Sequence, residues 1–357
     1  MADVHSTGQK PLISYKYLLI SVGLSLLGMG IVIYLTYTPG VLEHLRLKRM
    51  PGLIIAIGVT FLRLWFSAAK IRFLAENRIS WMASVRIMLT WEFASAVTPS
   101  TIGGAPLATY AMTREGMKLG KSTGIMLYGV LLDQFWYAIA VPILLIAGVY
   151  MTVIPPEIGF VGAATMVLIY TGLIAYGIFL TYGLLVNPRT MKKIVLWIFR
   201  LPFLRKFSGK VNEEAEHLEE YSYELRKKPL KFIGRAFFLS TMSWLCKVAL
   251  PPIVVLSLLP AEEILLVMRS LAMNLAFLVI PTPGGSGGVE GLFAIFLGPL
   301  IDRTAFIGLA VFVWRVITYY VSIGLGIMAV TWYVNHTVEE SITAKPDADL
   351  NEIQKVE

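Results

Sequence analysis

Six long apolar stretches constrain this chain more than any other feature of its sequence. They cover residues 17–42, 53–75, 122–153, 160–188, 236–259 and 305–334. A helix that crosses a bilayer needs about 20 mainly apolar residues, and each stretch is long enough. Only 15% of all residues are charged, against about 25% in an ordinary soluble domain. We therefore predict an all-α integral membrane protein, whose first stretch is a retained span rather than a cleaved signal peptide.

Two further apolar stretches, 81–112 and 264–297, are interrupted by clusters of proline and glycine. The first break contains Pro99, Gly103, Gly104 and Pro106, and the second contains Pro281, Pro283, Gly284, Gly285 and Gly287. Proline removes a backbone donor and glycine loosens a helix. Unwound backbone at membrane depth is tolerated only where it is buried in protein or faces water. We interpret both stretches as re-entrant, broken-helix hairpins, with complete kinked helices as the alternative.

The two interrupted stretches align with each other without gaps. The alignment places Glu92 opposite Asn274, Pro99 opposite Pro281, Gly103 opposite Gly285, Asp133 opposite Arg315 and Tyr137 opposite Tyr319. The order of span, hairpin and span therefore occurs twice, in repeat 1 (about 53–153) and in repeat 2 (about 236–334). Because the identities are few, chance alignment is the alternative. Inverted repeats whose broken helices meet near the midplane are typical of transporters.

One polar loop, residues 187–235, separates the two repeats. It holds twelve Lys and Arg residues against six Glu residues. Because cationic residues accumulate in cytoplasmic loops, we predict a cytoplasmic loop, cytoplasmic termini and location in the cell membrane. The basic residues at 46, 48 and 49 then lie outside, against the same rule. Residues 189–204 predict an interfacial helix on anionic lipid headgroups.

These features divide the chain into three parts. Residues 1–16 form a cytoplasmic tail, residues 17–335 form the membrane domain, and residues 336–357 are acidic and expected to be disordered. We attribute the net charge of +8 to contact with anionic lipid headgroups. Nucleic acid is not expected as a partner, because no nucleic-acid-binding motif accompanies the charge. With Cys246 as the single cysteine and the four histidines in tails or loops, we expect no metal site and no cofactor.

Charged residues inside apolar stretches are costly and usually face a cavity or a partner. The chain has eight of them: Arg63, Lys70, Glu92, Asp133, Lys247, Arg269, Glu290 and Arg315. Snorkelling to the interface is one explanation for Lys70, Arg269 and Glu290, which lie near predicted ends. The deeper charges predict a polar cavity for a charged headgroup, with buried structural ion pairs as the alternative. We expect Asp133 and Arg315 to pair across the pseudo-symmetry axis.

The chemistry of the predicted cavity suits a lipid headgroup. Half-helices beginning near Ala105 and Val289 direct backbone N–H groups and positive dipole ends towards the breaks, and these favour a phosphate. Three cations, Arg63, Lys247 and Arg315, add to that preference. Either carboxylate, Glu92 or Asp133, suits an amine on the same headgroup or exchange of a proton.

The segments 92–106 and 281–290, together with Asp133, resemble the lysylphosphatidylglycerol synthase transmembrane family, also called the flippase-like family. This family includes the membrane portion of the multiple peptide resistance factor, and the resemblance covers about residues 15–335. It implies lipid translocation. The family's polar positions transfer to Glu92, Thr98, Pro99, Gly103, Gly104, Pro106, Asp133, Pro281, Gly284, Gly285, Gly287 and Glu290. Since the chain ends at Glu357, we expect no aminoacyl-transferase domain.

The sequence thus predicts a lipid translocase, not an enzyme, that moves a phospholipid or lipid-linked headgroup along a polar groove. The predicted substrate-binding residues are Arg63, Glu92, Thr98, Gly103, Gly104, Asp133, Lys247, Gly284, Gly285, Gly287, Glu290 and Arg315, and the predicted structural breaks are Pro99, Pro106, Pro281 and Pro283. The alternatives are a small-anion transporter, a membrane transferase using Glu290 and Asp302, and an accessory subunit. The oligomeric state stays open, a homo-oligomer included.

Overall fold

The computed structural model describes residues 15–37, 51–98, 104–198 and 208–336. Throughout these ranges the chain forms helices joined by short connections, with no β-strand. Six of these helices are long and apolar enough to cross a membrane: Leu18–Thr36, Pro51–Leu74, Leu119–Tyr150, Pro156–Val186, Leu230–Leu258 and Ala305–His336. The predicted all-α membrane fold with six spans is confirmed.

The described ranges contain twelve α-helices. In chain order they are α1 Tyr15–Thr36, α2 Pro51–Leu74, α3 Trp81–Val97, α4 Gly104–Arg114, α5 Leu119–Tyr150, α6 Gly159–Thr181, α7 Pro188–Ile198, α8 Ser208–Arg226, α9 Leu230–Leu258, α10 Glu263–Ala276, α11 Gly288–Leu297 and α12 Ala305–Arg315. A π-helical turn, Tyr182–Val186, extends α6. Another, Val316–Tyr320, follows α12, and the helix then continues to residue 336.

The two predicted breaks each lie between a pair of short helices. Helices α3 and α4 have 17 and 11 residues, and α10 and α11 have 14 and 10. At about 1.5 Å per residue, every one of them is shorter than the roughly 30 Å hydrocarbon core of a bilayer. Within each pair the helices pack against each other. These lengths suit hairpins, and their re-entrant position in the membrane stays a prediction.

The helix order of the first repeat recurs in the second. Helices α2, α3, α4 and α5 correspond in order to α9, α10, α11 and α12. The gapless alignment that places Pro99 opposite Pro281 also places Trp81, the first residue of α3, opposite Glu263, the first residue of α10. This correspondence supports the predicted repeat. The inverted orientation of the two copies stays a prediction.

The equivalent spans α2 and α9 pack directly against each other. The hydroxyl oxygens of Ser67 and Ser243 are 2.7 Å apart. At the other end of the contact, a Cβ atom added to Gly52 would lie 2.2 Å from the Ser257 hydroxyl. Small residues allow two helix backbones to approach closely inside a membrane protein. The two repeats therefore meet along α2 and α9.

The polar loop contributes α7 and α8, and α8 packs against the start of α5. The backbone N–H of Gly120 donates to the Glu214 carboxylate at 2.7 Å. The Tyr221 hydroxyl donates to the carbonyl of Leu74 at 3.1 Å. Burial raises the pKa of Tyr221 well above its ordinary value, so this hydroxyl remains a donor. These contacts fix α8 to the ends of two spans.

Helix α7 coincides with the part of the predicted interfacial helix that the structure describes. Residues 199–207 lie outside the described residues. Its Trp197 side chain is 65% exposed. Lys192 forms ion pairs with Glu216 and Glu219 of α8, at 3.2 and 3.4 Å. Part of the loop's positive charge is therefore balanced within the protein. Contact of α7 with anionic lipid stays a prediction.

Candidate functional site

A cavity of about 400 Å³ lies within the helix bundle, and residues of both repeats line it. This volume is within the usual range for small-molecule sites. Six charged side chains of the described residues line it: Arg63 and Lys70 on α2, Glu92 on α3, Asp133 on α5, Lys247 on α9 and Arg315 on α12. Charges that the sequence distributes over five helices thus face one space.

Arg63 and Glu92 form a two-bond ion pair on one wall of the cavity. Arg63 Nη1 is 2.8 Å from Glu92 Oε1, and Nη2 is 3.2 Å from Oε2. A planar guanidinium matches a carboxylate in this geometry, and the two parallel bonds strengthen the pair. Both oxygens of Glu92 are therefore already bonded to a cation.

Asp133 accepts hydrogen bonds from three side chains at one oxygen. Lys70 Nζ is 2.9 Å from Asp133 Oδ1, and the indole nitrogen of Trp244 is 3.0 Å from it. The hydroxyl of Ser240 donates to the same atom. These contacts join α2, α5 and α9, so Asp133 links the first repeat to the second.

Arg315 pairs with Glu290 of the neighbouring helix. Arg315 Nε is 2.8 Å from Glu290 Oε1, and Ser25 of α1 donates to that oxygen at 2.7 Å. The backbone N–H of Gly287 donates to Oε2 at 2.9 Å. Because Glu290 is the third residue of α11, its carboxylate also stabilises the positive end of that helix. Arg315 Nη2 is buried and has no hydrogen-bond partner among the described residues.

The expected pair between Asp133 and Arg315 is wrong. Both residues line the same cavity, but Asp133 is bonded to Lys70 and Arg315 to Glu290. Equivalent positions in two repeats need not be in contact, because each side chain pairs with the nearest opposite charge on an adjacent helix. The pairing follows helix packing, which the alignment does not describe.

Snorkelling is also the wrong explanation for the three charges near predicted ends. Lys70 is bonded to Asp133, and Glu290 is fully buried in its pair with Arg315. Arg269 is 4% exposed and donates to the backbone carbonyls of Thr152 and Phe296, at 3.0 and 3.2 Å. Neighbouring segments cover all three side chains, so a position near the end of an apolar stretch does not bring them to solvent.

Lys247 differs from the other cavity cations. Its Nζ lies 4.4 Å from the centre of the Trp244 ring. It interacts electrostatically with Arg63, Glu92 and Asp133. Within the part of the chain that the structure describes, however, it forms no hydrogen bond and no ion pair. A cation–π contact of this kind stabilises an ammonium group only modestly.

The second break meets the end of α3 directly. Gly284, Gly285 and Gly287 have φ angles of +59°, +67° and +87°, a region that glycine adopts readily. A Cβ atom on Gly284 would lie 2.9 Å from the carbonyl oxygen of Ala96. This approach brings Gly284 and Gly285 to the cavity wall.

A hydroxyl of α1 joins the same two segments. Ser21 Oγ lies 2.6 Å from the carbonyl oxygen of Ala96 and 3.2 Å from that of Pro283. It also contacts the hydroxyls of Ser286 and Tyr319, which are 3.0 Å from each other. Helix α1 therefore holds the second break against α3.

Several predicted binding residues lie away from the cavity. Thr98 donates its hydroxyl to the carbonyl of Ala94 at 2.7 Å and ends α3. A Cβ on Gly104 would lie 2.6 Å from the backbone oxygen of Trp91, so Gly104 serves helix packing. Gly287 and Glu290 face α1. The binding roles of these four residues stay predictions, and Pro99 and Gly103 lie outside the described residues.

The remaining predicted breaks differ in position. Pro106 is the third residue of α4, where proline is tolerated because the first-turn N–H groups lack helical partners. Pro283 begins the short 3₁₀ turn Pro283–Gly285, and Pro281 precedes it in the connection from α10.

The sequence did not point to a binding role for many polar or aromatic residues of the cavity wall, among them Lys70, Gln134, Ser243, Trp244, Asn274 and Tyr319. The sequence contained a hint of the roles of Asn274 and Tyr319, because the repeat alignment places them opposite Glu92 and Tyr137. It contained no hint for Ser243 and Trp244, since a serine and a tryptophan in an apolar span are ordinary packing residues.

Comparison with known proteins assigns a family to this arrangement. The model of the family described as lysylphosphatidylglycerol synthase TM region matches residues 18–326. That range contains every charged residue of the cavity. A relative from Archaeoglobus fulgidus, named UPF0104 membrane protein, is 25% identical over 314 residues, which cover 83% of this chain and 91% of the relative.

Proposed function

Because the chain belongs to the family of lysylphosphatidylglycerol synthase TM regions, we propose that it moves a phospholipid or lipid-linked headgroup between the two leaflets. The family and the six spans make it a multi-pass membrane protein with a lipid-related role. Translocation, rather than lipid synthesis, is the proposed activity. The cytoplasmic membrane is its proposed location.

The charged cavity inside the bundle is the observation that carries this proposal. Moving a charged headgroup through hydrocarbon is very costly unless polar groups replace the water around it. The cavity offers guanidinium, ammonium and amide groups together with the backbone of Gly284 and Gly285. A headgroup in this space keeps polar partners while its acyl chains remain in the bilayer.

The arrangement of the two repeats supports movement as well as binding. Substrate sites of many transporters lie where two repeats meet, and alternating access follows when one repeat rocks against the other. In this chain α2 and α9 provide the contact between repeats, and Arg63, Lys70 and Lys247 lie on these two helices. The proposed cycle exposes the cavity to one leaflet and then to the other.

The transferase alternative has less support. It requires Glu290 and Asp302 to act together, but Glu290 is fully buried in its ion pair and Asp302 is exposed. The same cavity also suits a small-anion transporter. The two functions differ in whether a lipid or a soluble anion crosses the membrane.

Reconstitution tests the proposed function. Purified protein is placed in liposomes that contain phospholipids labelled on an acyl chain, and an impermeant reductant quenches the probe in the outer leaflet. We expect the wild-type protein to bring inner-leaflet probe to the reductant. Asp133→Asn is expected to slow this at least about tenfold, because it weakens charged hydrogen bonds on the cavity wall. The exposed Glu220 provides the control variant Glu220→Gln, expected to match wild type.

Two outcomes count against the proposal. Wild-type protein that moves no phospholipid of any headgroup class, although correctly folded, overturns lipid translocation. The second outcome is an Asp133→Asn protein that elutes as a monodisperse species and moves lipid at the wild-type rate. This result means that the cavity takes no part in translocation.

A further inference from the structure

The charges of the cavity do not balance. Within the described ranges, four cations line it: Arg63, Lys70, Lys247 and Arg315. Three carboxylates neutralise three of them, since Glu92, Asp133 and Glu290 each form one of the ion pairs described above. Among the described residues one positive charge therefore remains, and it belongs to Lys247.

Four further polar atoms of the cavity wall lack hydrogen-bond partners among the described residues, and one of them is the hydroxyl oxygen of Ser95. The other three belong to longer side chains. Arg315 Nη2 is an unused donor, and the amide oxygens of Asn274 and Gln134 are unused acceptors. All three residues line the cavity, with exposed fractions of 4%, 4% and 9%. The Asn274 amide nitrogen already donates to the carbonyl of Ser270 at 2.9 Å, which orients its oxygen as the free acceptor. Buried polar groups are normally satisfied, so these groups, which share one cavity, are available to bind a ligand there.

These groups specify the chemistry of the ligand. A phosphate ester with one negative charge balances Lys247 and accepts from Arg315 Nη2. Hydroxyl groups on the same headgroup donate to the amide oxygens of Asn274 and Gln134. A cationic headgroup is disfavoured, because it adds a positive charge where one is already in excess and both oxygens of Glu92 are occupied.

We infer that the headgroup carried is an anionic polyol phosphate, such as a glycerol or sugar phosphate, and that Lys247 selects it. This inference rests on the proposed function and narrows its substrate. The inference separates anionic polyol lipids, which the protein is expected to carry, from amine-bearing lipids, including aminoacylated ones.

The test compares acyl-labelled phosphatidylglycerol, phosphatidylethanolamine and lysyl-phosphatidylglycerol in the same liposome assay. We expect wild-type protein to move phosphatidylglycerol at least about tenfold faster than the two amine-bearing lipids, the effect of one charge-assisted hydrogen bond. Lys247→Gln is expected to remove most of this preference, and Lys247→Arg to restore it. Lys227→Gln, at an exposed position between α8 and α9, is the matched control and is expected to match wild type.

A binding measurement keeps the inference testable if transport of the variant is low. Short-chain phosphatidylglycerol is expected to raise the thermal unfolding midpoint of wild-type protein in detergent and to leave that of Lys247→Gln unchanged. An equal rise in both proteins, or equal transport of anionic and amine-bearing lipids by the wild type, overturns the inference while the proposed function stands.

A second arm separates a lipid headgroup from free phosphate. Liposomes loaded with inorganic phosphate are expected to retain it in the presence of the protein. Protein-dependent release of phosphate without movement of any lipid identifies a soluble anion as the ligand. That outcome overturns both the lipid substrate and the proposed translocase.

Discussion

Both carboxylate oxygens of the buried Glu290 accept hydrogen bonds. Three donors from three segments bind its carboxylate: Ser25, Gly287 and Arg315. The side chain has no solvent exposure. Removing one partner of a buried ion pair is costly because the other charge is left without compensation. Glu290 therefore holds α1, α11 and α12 together.

Glu290→Gln is predicted to destabilise the protein by about 3–5 kcal/mol, because Arg315 loses its counter-charge in a buried position. Chemical or thermal unfolding of the detergent-solubilised protein measures this change. Glu220→Gln, at an exposed position of α8, is expected to have no such effect. An unfolding midpoint of Glu290→Gln equal to that of wild type is incompatible with the buried pair.

Residue identity in the sequence was enough to mark Glu290 and Arg315 as unusual, since charges are rare in apolar stretches. It was not enough to pair them. The two residues lie on adjacent helices, and the competing assignment to Asp133 rested on repeat equivalence. Distances between side chains decide pairing, and these arise only when the helices pack.

Two glycines of α5, Gly120 and Gly124, face α8, and Gly120 is the one that meets its backbone. A Cβ atom on Gly120 would lie 2.0 Å from the backbone oxygen of Glu214 and 2.8 Å from the Cβ of His217. Backbone atoms cannot move aside as a flexible side chain does. Glycine at this position therefore allows the acidic helix α8 to lie on the end of a span.

Gly120→Ala is predicted to separate α8 from α5 and to cost about 1–3 kcal/mol through overpacking. Hydrogen–deuterium exchange should become faster in α8 while the central part of α9 keeps its protection. Gly234→Ala is the matched control, because no atom lies within 4 Å of its added Cβ. Unchanged exchange in α8 of Gly120→Ala contradicts the close contact.

At the scale of the element, the sequence predicted both interrupted stretches and the existence of a helix near residue 189. Proline and glycine clusters are local signals, and a short helix ends where they occur. The docking of α8 was not predicted. Its small partner residue, Gly120, looks in the sequence like any other glycine near the start of a helix.

For the whole molecule, orientation in the membrane follows from the basic loop. Lys and Arg are retained on the cytoplasmic side during insertion, which predicts that residues 187–235 face the cytoplasm and that the turn at Pro156–Ile158 faces outward. The six spans then place both termini inside, provided that the two short-helix pairs re-enter. This orientation stays a prediction.

Single cysteines in a Cys246→Ser background test it. Glu157 and Glu220 are both exposed, and each is replaced by cysteine. An impermeant maleimide added to intact cells is expected to label Glu157→Cys alone, and permeabilised cells are expected to label both. Labelling of Glu220→Cys in intact cells indicates the opposite orientation of the protein in the membrane.

The sequence by itself determined the fold class, the six spans and the places where helices are interrupted. Hydrocarbon imposes its length and polarity requirements on each segment separately, so these properties can be recognised one segment at a time. The tertiary structure alone decided that Lys70 binds Asp133, that Arg315 binds Glu290 and that Lys247 has no ion-pair partner in the part of the chain that the structure describes. Those outcomes depend on side chains that are far apart in the chain and meet only when the helices pack.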